Sequence, residues 1–258
     1  MPLLIPLLVS LVYAVEAPTV VEEISIHSQI DWTEMRIEAV GKAGVMTNAA
    51  NYSHAEVNAI RQAQEHVQKA TYELNLDAEI DYQDLVNRND VMARNMTDAA
   101  TKSEVSDVIY LNEDTVETRV FIDLQELLRP YIIERAGIES RVNRPTKKQA
   151  SGIIVDARNV DFDPVVLPTV QTYNDQQWLS VEHFSAYTAQ SKLPFRYAVD
   201  ATNPLVIDIV GSKPALYIAD KATFDTLTVH SVGETISAEN RDAIMGNGKV
   251  VILVSEKQ

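Results

Sequence analysis

The polar residues best suited to chemistry follow a short apolar run, Ile153–Val155. They are Asp156, Arg158, Asp161 and Asp163. Asp161 and Asp163 are candidate ligands for a hard cation such as Ca²⁺ or Mg²⁺, because these ions prefer carboxylate oxygens. Asp156 is a candidate general base, and Arg158 is a candidate group for holding an anion. The pattern supports one hypothesis, a metal-assisted hydrolase.

The same residues also have a structural interpretation. In this interpretation Asp156 caps a turn and pairs with Arg158, and Asp161 begins the turn that leads to Pro164. Neighbouring Asp residues are common in a chain with 37 acidic side chains. The sequence favours this interpretation and keeps the metal site as the alternative.

Motifs that define common catalytic sites are missing from the sequence. It contains no Gly-x-Ser-x-Gly, no phosphate-binding loop and no glycine-rich dinucleotide turn, and it has only 8 Gly. Its 5 His residues do not have the spacing of metal ligands. We therefore predict no cofactor. A group of aromatic residues, Trp178, Phe184 and Tyr187, supports a further alternative, a small-ligand-binding periplasmic protein.

Charge and composition exclude several classes of protein. The 258 residues include 22 Lys and Arg against 37 Asp and Glu, a net charge of −15. Such a surface repels nucleic-acid phosphates and anionic lipid headgroups, so neither is an expected partner, whereas a basic protein is compatible with it. With 0 Cys, the chain has no disulfides, thiolate nucleophiles or iron–sulfur clusters.

The first residues, MPLLIPLLVSLVYA, predict export. The apolar run Leu3–Val12 is too short to span a bilayer, which takes about 20 residues. It has the length of the core of a cleavable signal peptide, residues 1–14, although no Lys or Arg precedes it. A buried N-terminal strand or helix is the alternative. The sequence predicts a periplasmic or extracellular protein with no transmembrane segment after signal removal.

Residues 15–134 are expected to form an α+β domain of strands, a helix and a hairpin. Period-two alternation in Thr19–Val45 predicts strands, with a bend at Asp31-Trp32-Thr33. The same alternation predicts a hairpin from Asp107–Tyr110 and Glu117–Asp123.

Three helices are expected in this domain. The clearest covers residues 53–75, with a capping box formed by Ser53 and Glu56. Its expected buried stripe is Val57, Ile60, Gln64, Val67, Thr71 and Leu74. Asp81–Ala100 predicts a weaker helix, and Leu124–Arg135 predicts a short one broken near Pro130.

Residues 135–149 are the predicted domain boundary and the most basic stretch of the chain. Their cations are Arg135, Arg141, Arg144, Lys147 and Lys148. Composition favours an exposed linker. The functional alternatives are a docking strip for an acidic partner, with these five residues as candidate partner-binding residues, or a contact between domains.

Residues 150–258 are expected to form a mixed α/β domain. Five apolar runs predict strands: Ile153–Val155, Val165–Leu167, Leu205–Val210, Ala215–Ile218 and Val250–Val254. Three stretches predict helices: Gln177–Gln190, Ala222–Leu227 and Ser237–Met245. The expected fold class of the whole chain is α+β.

Part of the first half resembles a bacterial envelope-protein family that includes small surface lipoproteins and flagellar accessory proteins. In the first half the matching segments are Ala55–Leu74 and Glu113–Leu124. The second half looks like the C-terminal region of uncharacterised exported bacterial proteins that have the same first domain, in the segments Gly152–Val166, Asn203–Ile209 and Gly248–Val254. The resemblance implies scaffolding in the periplasm or outer membrane, sometimes around the flagellar motor. The chain departs from the lipoprotein members because it lacks the lipidated Cys.

The sequence therefore predicts an exported, non-enzymatic envelope protein that acts by contact with another envelope protein or by self-assembly. Edge strands and the basic stretch are its expected contact surfaces. The metal-assisted hydrolase and the small-ligand binder are the alternatives.

Overall fold

The computed structural model describes residues 18–45, 52–112, 114–137, 150–174, 177–233 and 235–256. The predicted signal peptide, residues 1–14, lies outside this part of the chain. None of the helices described is long and apolar enough to cross a membrane.

The first half forms an antiparallel sheet. Its strands are β1 (Val21–Ser25), β2 (Ser28–Asp31), β3 (Arg36–Gly44), β4 (Glu104–Asn112) and β5 (Thr115–Asp123). Their order is β1-β2-β3-β5-β4, so β4 is an outer strand. The predicted strands in residues 19–45 and the predicted hairpin are both confirmed. The chain turns between β2 and β3, where Met35 has a φ of 57°.

One face of this sheet is covered by α1 (Tyr52–Tyr72). Its buried residues are Ala55, Ala59, Ala63, Val67, Ala70 and Thr71. The predicted stripe was therefore wrong in part, because Val57 is 64% exposed. Small alanine side chains allow the helix backbone to approach the sheet, which the larger residues of the predicted stripe would prevent.

The predicted capping box is also wrong. Helix α1 already includes Tyr52, so Ser53 lies inside the helix and is not its N-cap. The Glu56 carboxylate instead accepts a hydrogen bond from the Tyr110 hydroxyl of β4. A tertiary contact thus engages the side chain that the sequence assigned to local capping.

The predicted second helix is two helices, α2 (Tyr82–Arg88) and α3 (Asp90–Thr101). Asn89 separates them because its side-chain oxygen accepts hydrogen bonds from the amides of Val91 and Met92, which caps α3.

The helix α4 (Leu124–Arg135) has the predicted bounds, but the predicted break at Pro130 is absent. Proline removes one backbone hydrogen bond from a helix interior. Buried Leu127, Leu128, Tyr131 and Ile132 hold the helix against the core on both sides of the proline. Packing therefore offsets the local preference for a break.

The second half forms a mixed sheet. Its strands are β6 (Ile153–Asp156), β7 (Thr169–Thr172), β8 (Arg196–Ala198), β9 (Ala215–Ala222), β10 (Thr226–Val232) and β11 (Val250–Leu253). Their order is β7-β10-β9-β6-β11-β8, and only β9 and β10 pair antiparallel. Two helices accompany it, α5 (Pro204–Val210) and α6 (Ala238–Gly246). The predicted fold class, α+β, is confirmed.

Two apolar runs that predicted strands are not strands. Residues 205–210 belong to α5, because Asn203 caps the amide of Leu205 and Pro204 occupies the first turn. Residues 165–167 cross to the first half, where the amides of Val166 and Leu167 donate to the carbonyls of Asn75 and Leu76.

Two predicted helices are also wrong, whereas the one at residues 237–245 is confirmed as α6. Residues 177–190 contain two short 3₁₀ turns, Val181–His183 and Thr188–Gln190. Residues 222–227 form the hairpin between β9 and β10, where strand pairing overrides the weak local preference for a helix.

The two halves share one hydrophobic core. Most buried residues of both sheets belong to one cluster, and a second, smaller cluster lies between the second sheet and α5. At the junction the rings of Trp32 and Tyr197 meet edge to face, with their centroids 5.6 Å apart. The outer strand β8 therefore lies against the turn that follows β2. Of the predicted boundary 135–149, the structure describes residues 135–137 only, so the division into domains stays a prediction.

Candidate functional site

The carboxyl ends of three parallel strands bring acidic and basic groups together. Asp156 is the last residue of β6, Asp200 follows β8, and β11 lies between these strands. In open α/β sheets, sites form at this end of the strands. The side-chain hydrogen bonds with Asp156, followed by the charges of Asp156 and Asp200, raise the pKa of the Arg158 guanidinium, so Asp200 lies near this pair. The structure thus adds Asp200 to the predicted cluster.

Asp156 and Arg158 form a bidentate ion pair. Arg158 donates from Nε to Oδ1 at 2.9 Å and from Nη2 to Oδ2 at 2.6 Å. The backbone amide of Arg158 also donates to Asp156 Oδ1. These hydrogen bonds lower the pKa of the Asp156 carboxyl. A carboxylate with a lowered pKa and both oxygens engaged is a weak proton acceptor, so the geometry matches the structural interpretation of this pair.

The candidate metal ligands Asp161 and Asp163 are both exposed. Within the described ranges, no group of three or more His, Asp or Glu side chains is arranged to hold a metal ion. The metal site therefore stays a prediction, as does the hydrolase that depends on it. Titration of the Asp161→Asn variant with Ca²⁺ and Mg²⁺ tests both, since unchanged binding removes this residue as a ligand.

Among the candidate partner-binding cations, the structure describes Arg135. Its guanidinium pairs with the buried carboxylate of Asp77 at 3.5 Å and donates to the hydroxyl of Tyr131 at 3.0 Å. Burial, followed by the charge of Asp77, raises the pKa of Tyr131 to about 12, so this hydroxyl stays protonated. Arg135 thus takes part in a contact within the protein. The other four candidates, Arg141, Arg144, Lys147 and Lys148, lie outside the described residues.

The three aromatic residues of the predicted ligand patch differ in solvent exposure. Trp178 and Phe184 are core residues, and the Trp178 ring packs on Tyr217 with the ring centroids 4.2 Å apart. Tyr187 is 84% exposed. Aromatic character alone does not distinguish a core position from a binding surface, which explains why the sequence grouped them.

A polar cluster that the sequence analysis missed lies on β9, β10 and the end of β7. Asp220 Oδ2 is 2.8 Å from Nδ1 of His230 and accepts a hydrogen bond from the Tyr173 hydroxyl at 3.3 Å. An Asp held against Nδ1 orients the imidazole and leaves Nε2 for another contact. The 10-residue separation of Asp220 and His230 across a hairpin hid this pair.

The strand with the most exposed surface is β4. None of its nine residues is buried, and among the described residues it pairs with β5 on one side only. Edge strands are the contact surfaces expected from the sequence, but the sequence did not identify β4 as one of them. The sequence feature that points to this strand is the apolar, β-prone segment Val105–Leu111, in which polar residues do not alternate regularly.

The chain matches no protein-family model, and no curated protein is similar to it. The predicted resemblance to envelope proteins therefore stays a prediction.

Proposed function

We propose that this protein is an exported, non-enzymatic envelope protein that acts by protein–protein contact, in an assembly at the cell surface or the flagellum. The observation that carries the contact function is the open edge of β4. The N-terminal segment 1–14 and the resemblance to envelope proteins support the location.

The free edge of β4 has the features of a strand that accepts a partner strand. Val105, Tyr110 and Leu111 are 46%, 54% and 49% exposed. Proteins usually protect such edges with charged residues, Pro, bulges or a covering segment, because unpaired backbone groups pair with other chains. The residues of β4 include no Lys or Pro. An added strand would gain both backbone hydrogen bonds and apolar contacts.

Register shifts limit where a partner strand fits. The β4–β5 ladder is irregular between Val105 and Asp107 and again between Tyr110 and Asn112. Bulges twist an edge and interrupt its regular spacing of donors and acceptors. Asp107–Tyr110 is therefore the segment on which we expect the partner strand to pair.

Charge favours a basic partner. The ionised residues of β4 are Glu104 and Asp107, both acidic, and the whole chain has a net charge of −15. Opposite potentials speed the encounter of two surfaces, whereas two like-charged edges repel. The partner strand is thus expected to carry Lys or Arg, and pairing of two β4 edges is disfavoured.

The absence of cysteine permits a sharp test. A single cysteine placed by Leu111→Cys and labelled with a photoreactive maleimide reports what contacts this edge in cells of the source organism. Phe224→Cys is the matched control, since Phe224 is 54% exposed on the second half of the chain. We expect one basic envelope protein cross-linked from position 111 and not from position 224.

Charge reversal and location complete the test. Asp107→Lys is expected to weaken the cross-link, whereas Glu239→Lys in α6 should leave it intact. The same products from both cysteines, or none from position 111, would defeat the contact proposal. Export fails separately, if sequencing of the native protein finds Met1 retained and fractionation finds it in the cytoplasm.

A further inference from the structure

A cavity of about 450 Å³ lies at the junction of the two halves. It is bordered by α5, by the first turn of α4, and by the loops that precede β8 and β11. This is the end of the parallel strands opposite to Asp156. Cavities of this size at the boundary between structural units are common ligand sites.

Three cations line the cavity in a strongly acidic protein. They are Lys192 in the loop before β8, Arg196 in β8 and Lys249 immediately before β11. The lining includes a single carboxylate, that of Asp208, which is exposed on α5. The carboxylates of Glu34, Asp123 and Asp31 also act on Arg196 and offset part of this positive charge. Lys192 and Lys249 form no ion pair among the described residues, so their charges are available to an anion.

Arg196 is only partly satisfied by the protein. A guanidinium has five N–H donors. Among the described residues, Arg196 donates one hydrogen bond, from Nη2 to the carbonyl oxygen of Thr33 at 3.4 Å. Its Nε is buried and has no partner there. Arg196 is partly buried, and a guanidinium taken out of water without a paired anion carries a desolvation cost that an anionic ligand would reduce.

Nearby acidic residues do not take the place of that anion. Glu34, Asp123 and Asp31 act on Arg196 through space, but within the described part of the chain none of them forms an ion pair with it. Burial is the dominant influence and lowers the pKa of the Arg196 guanidinium, although this group stays charged. Arg196 therefore lines the cavity without an ion-pair partner among the described residues.

The other part of the lining is apolar. Leu205 and Ile209 of α5 and the buried Leu193 border the same cavity as the three cations. We propose that this cavity binds a small amphipathic carboxylate, with its head on Arg196 and Lys249 and its hydrocarbon body against these leucine and isoleucine side chains. Guanidinium groups bind carboxylates through two parallel hydrogen bonds, and the apolar lining selects against a bare inorganic anion.

Calorimetric titration of the full-length protein with octanoate tests this inference, with octan-1-ol and inorganic phosphate as comparison probes. We expect octanoate to bind at least tenfold more tightly than either. Arg196→Gln and Lys249→Gln are each expected to weaken octanoate binding about tenfold. Lys213→Gln is the matched control, because Lys213 is exposed and does not line the cavity.

If Arg196→Gln fails to fold, Lys249→Gln still tests the proposal. Lys249 is partly exposed immediately before β11, so this substitution is expected to leave the fold intact. No octanoate binding, equal binding of octan-1-ol or of phosphate, or equal loss in the Lys213→Gln control would each overturn the proposal. None of these results depends on the proposed contact at β4.

Discussion

Gly41 of β3 lies directly beneath the backbone of Ala59 in α1. A Cβ atom added to Gly41 would overlap the carbonyl oxygen of Ala59 and would lie 2.5 Å from the amide nitrogen of Ala63. The obstruction is backbone, so no side-chain rotation relieves it. The helix that covers the first sheet is therefore held at a distance that requires glycine on the strand and alanine on the helix.

Gly41→Ala is expected to lower the free energy of unfolding by about 2–3 kcal/mol, because the helix must move away from the sheet. Urea unfolding followed by circular dichroism measures this change. Gly44→Ala in the same strand is the control, since its Cβ would meet the Asp114 carbonyl oxygen at 3.7 Å, an ordinary contact. Equal destabilisation by both substitutions would contradict the close approach.

Asp77 joins α4 to the loop before α2. Its Oδ1 accepts hydrogen bonds from the backbone amides of Glu79 and Ile80 at 2.9 and 3.1 Å. Its Oδ2 accepts a hydrogen bond from the Tyr131 hydroxyl and forms an ion pair with Arg135. Asp77→Ala removes the acceptor of these four donors, of which the Tyr131 hydroxyl is buried, so we expect a loss of about 2–3 kcal/mol of stability. Chemical denaturation gives the value.

Asp84→Ala provides the comparison for Asp77. Asp84 pairs with Arg88 at 3.9 Å on an exposed helix face, and such pairs contribute about 0–1 kcal/mol. A loss for Asp77→Ala no larger than that for Asp84→Ala would show that the Asp77 contacts do not support the fold.

The pair Asp156–Arg158 predicts a pH-dependent contribution to stability. The pKa of Asp156 is lowered in the folded protein, whereas in the unfolded chain it is about 3.9. The stabilisation is therefore present above the unfolded value and is lost as the pH falls through the folded value. Asp156→Asn should cost about 0.5–1 kcal/mol at pH 7, since this pair is partly exposed, and progressively less as the pH falls below the unfolded value of about 3.9.

Unfolding curves for the wild type and Asp156→Asn at several pH values check this sign. Asp161→Asn, an exposed neighbour, is expected to change stability at pH 7 by less than about 0.5 kcal/mol. A destabilisation by Asp156→Asn that is as large at pH 2 as at pH 7 would mean that the charge of Asp156 is not responsible.

Asn203 determines where α5 begins. Its side-chain oxygen accepts a hydrogen bond from the backbone amide of Leu205 at 2.9 Å. Asn203→Ala is expected to lower stability by about 1 kcal/mol, because the capping acceptor is lost. Asn203→Ser keeps a neutral acceptor and should therefore keep most of the wild-type stability. Thermal unfolding distinguishes the two variants, and an equal loss in both would rule out capping as the cause.

Local patterns were reliable where one face of a strand is buried. In β5 the inward residues Val116, Thr118, Val120 and Ile122 are buried, as their alternation predicts. The same rule was available for Thr226–Val232, which forms β10 and was missed. Apolar runs were less informative, because a buried strand and a buried helix have similar composition. In residues 205–210 the preceding Asn-Pro was the signal that favours a helix.

The amino-acid sequence by itself determined the acidic charge, the lack of cysteine chemistry and the positions of the alternating strands, because these depend on composition or on neighbouring residues. Only the tertiary structure decided that β4 is the open edge and that Lys192, Arg196 and Lys249 border one cavity with α5. Those residues are separated along the chain, and they come together through the long-range order of the strands. No local periodicity encodes that order.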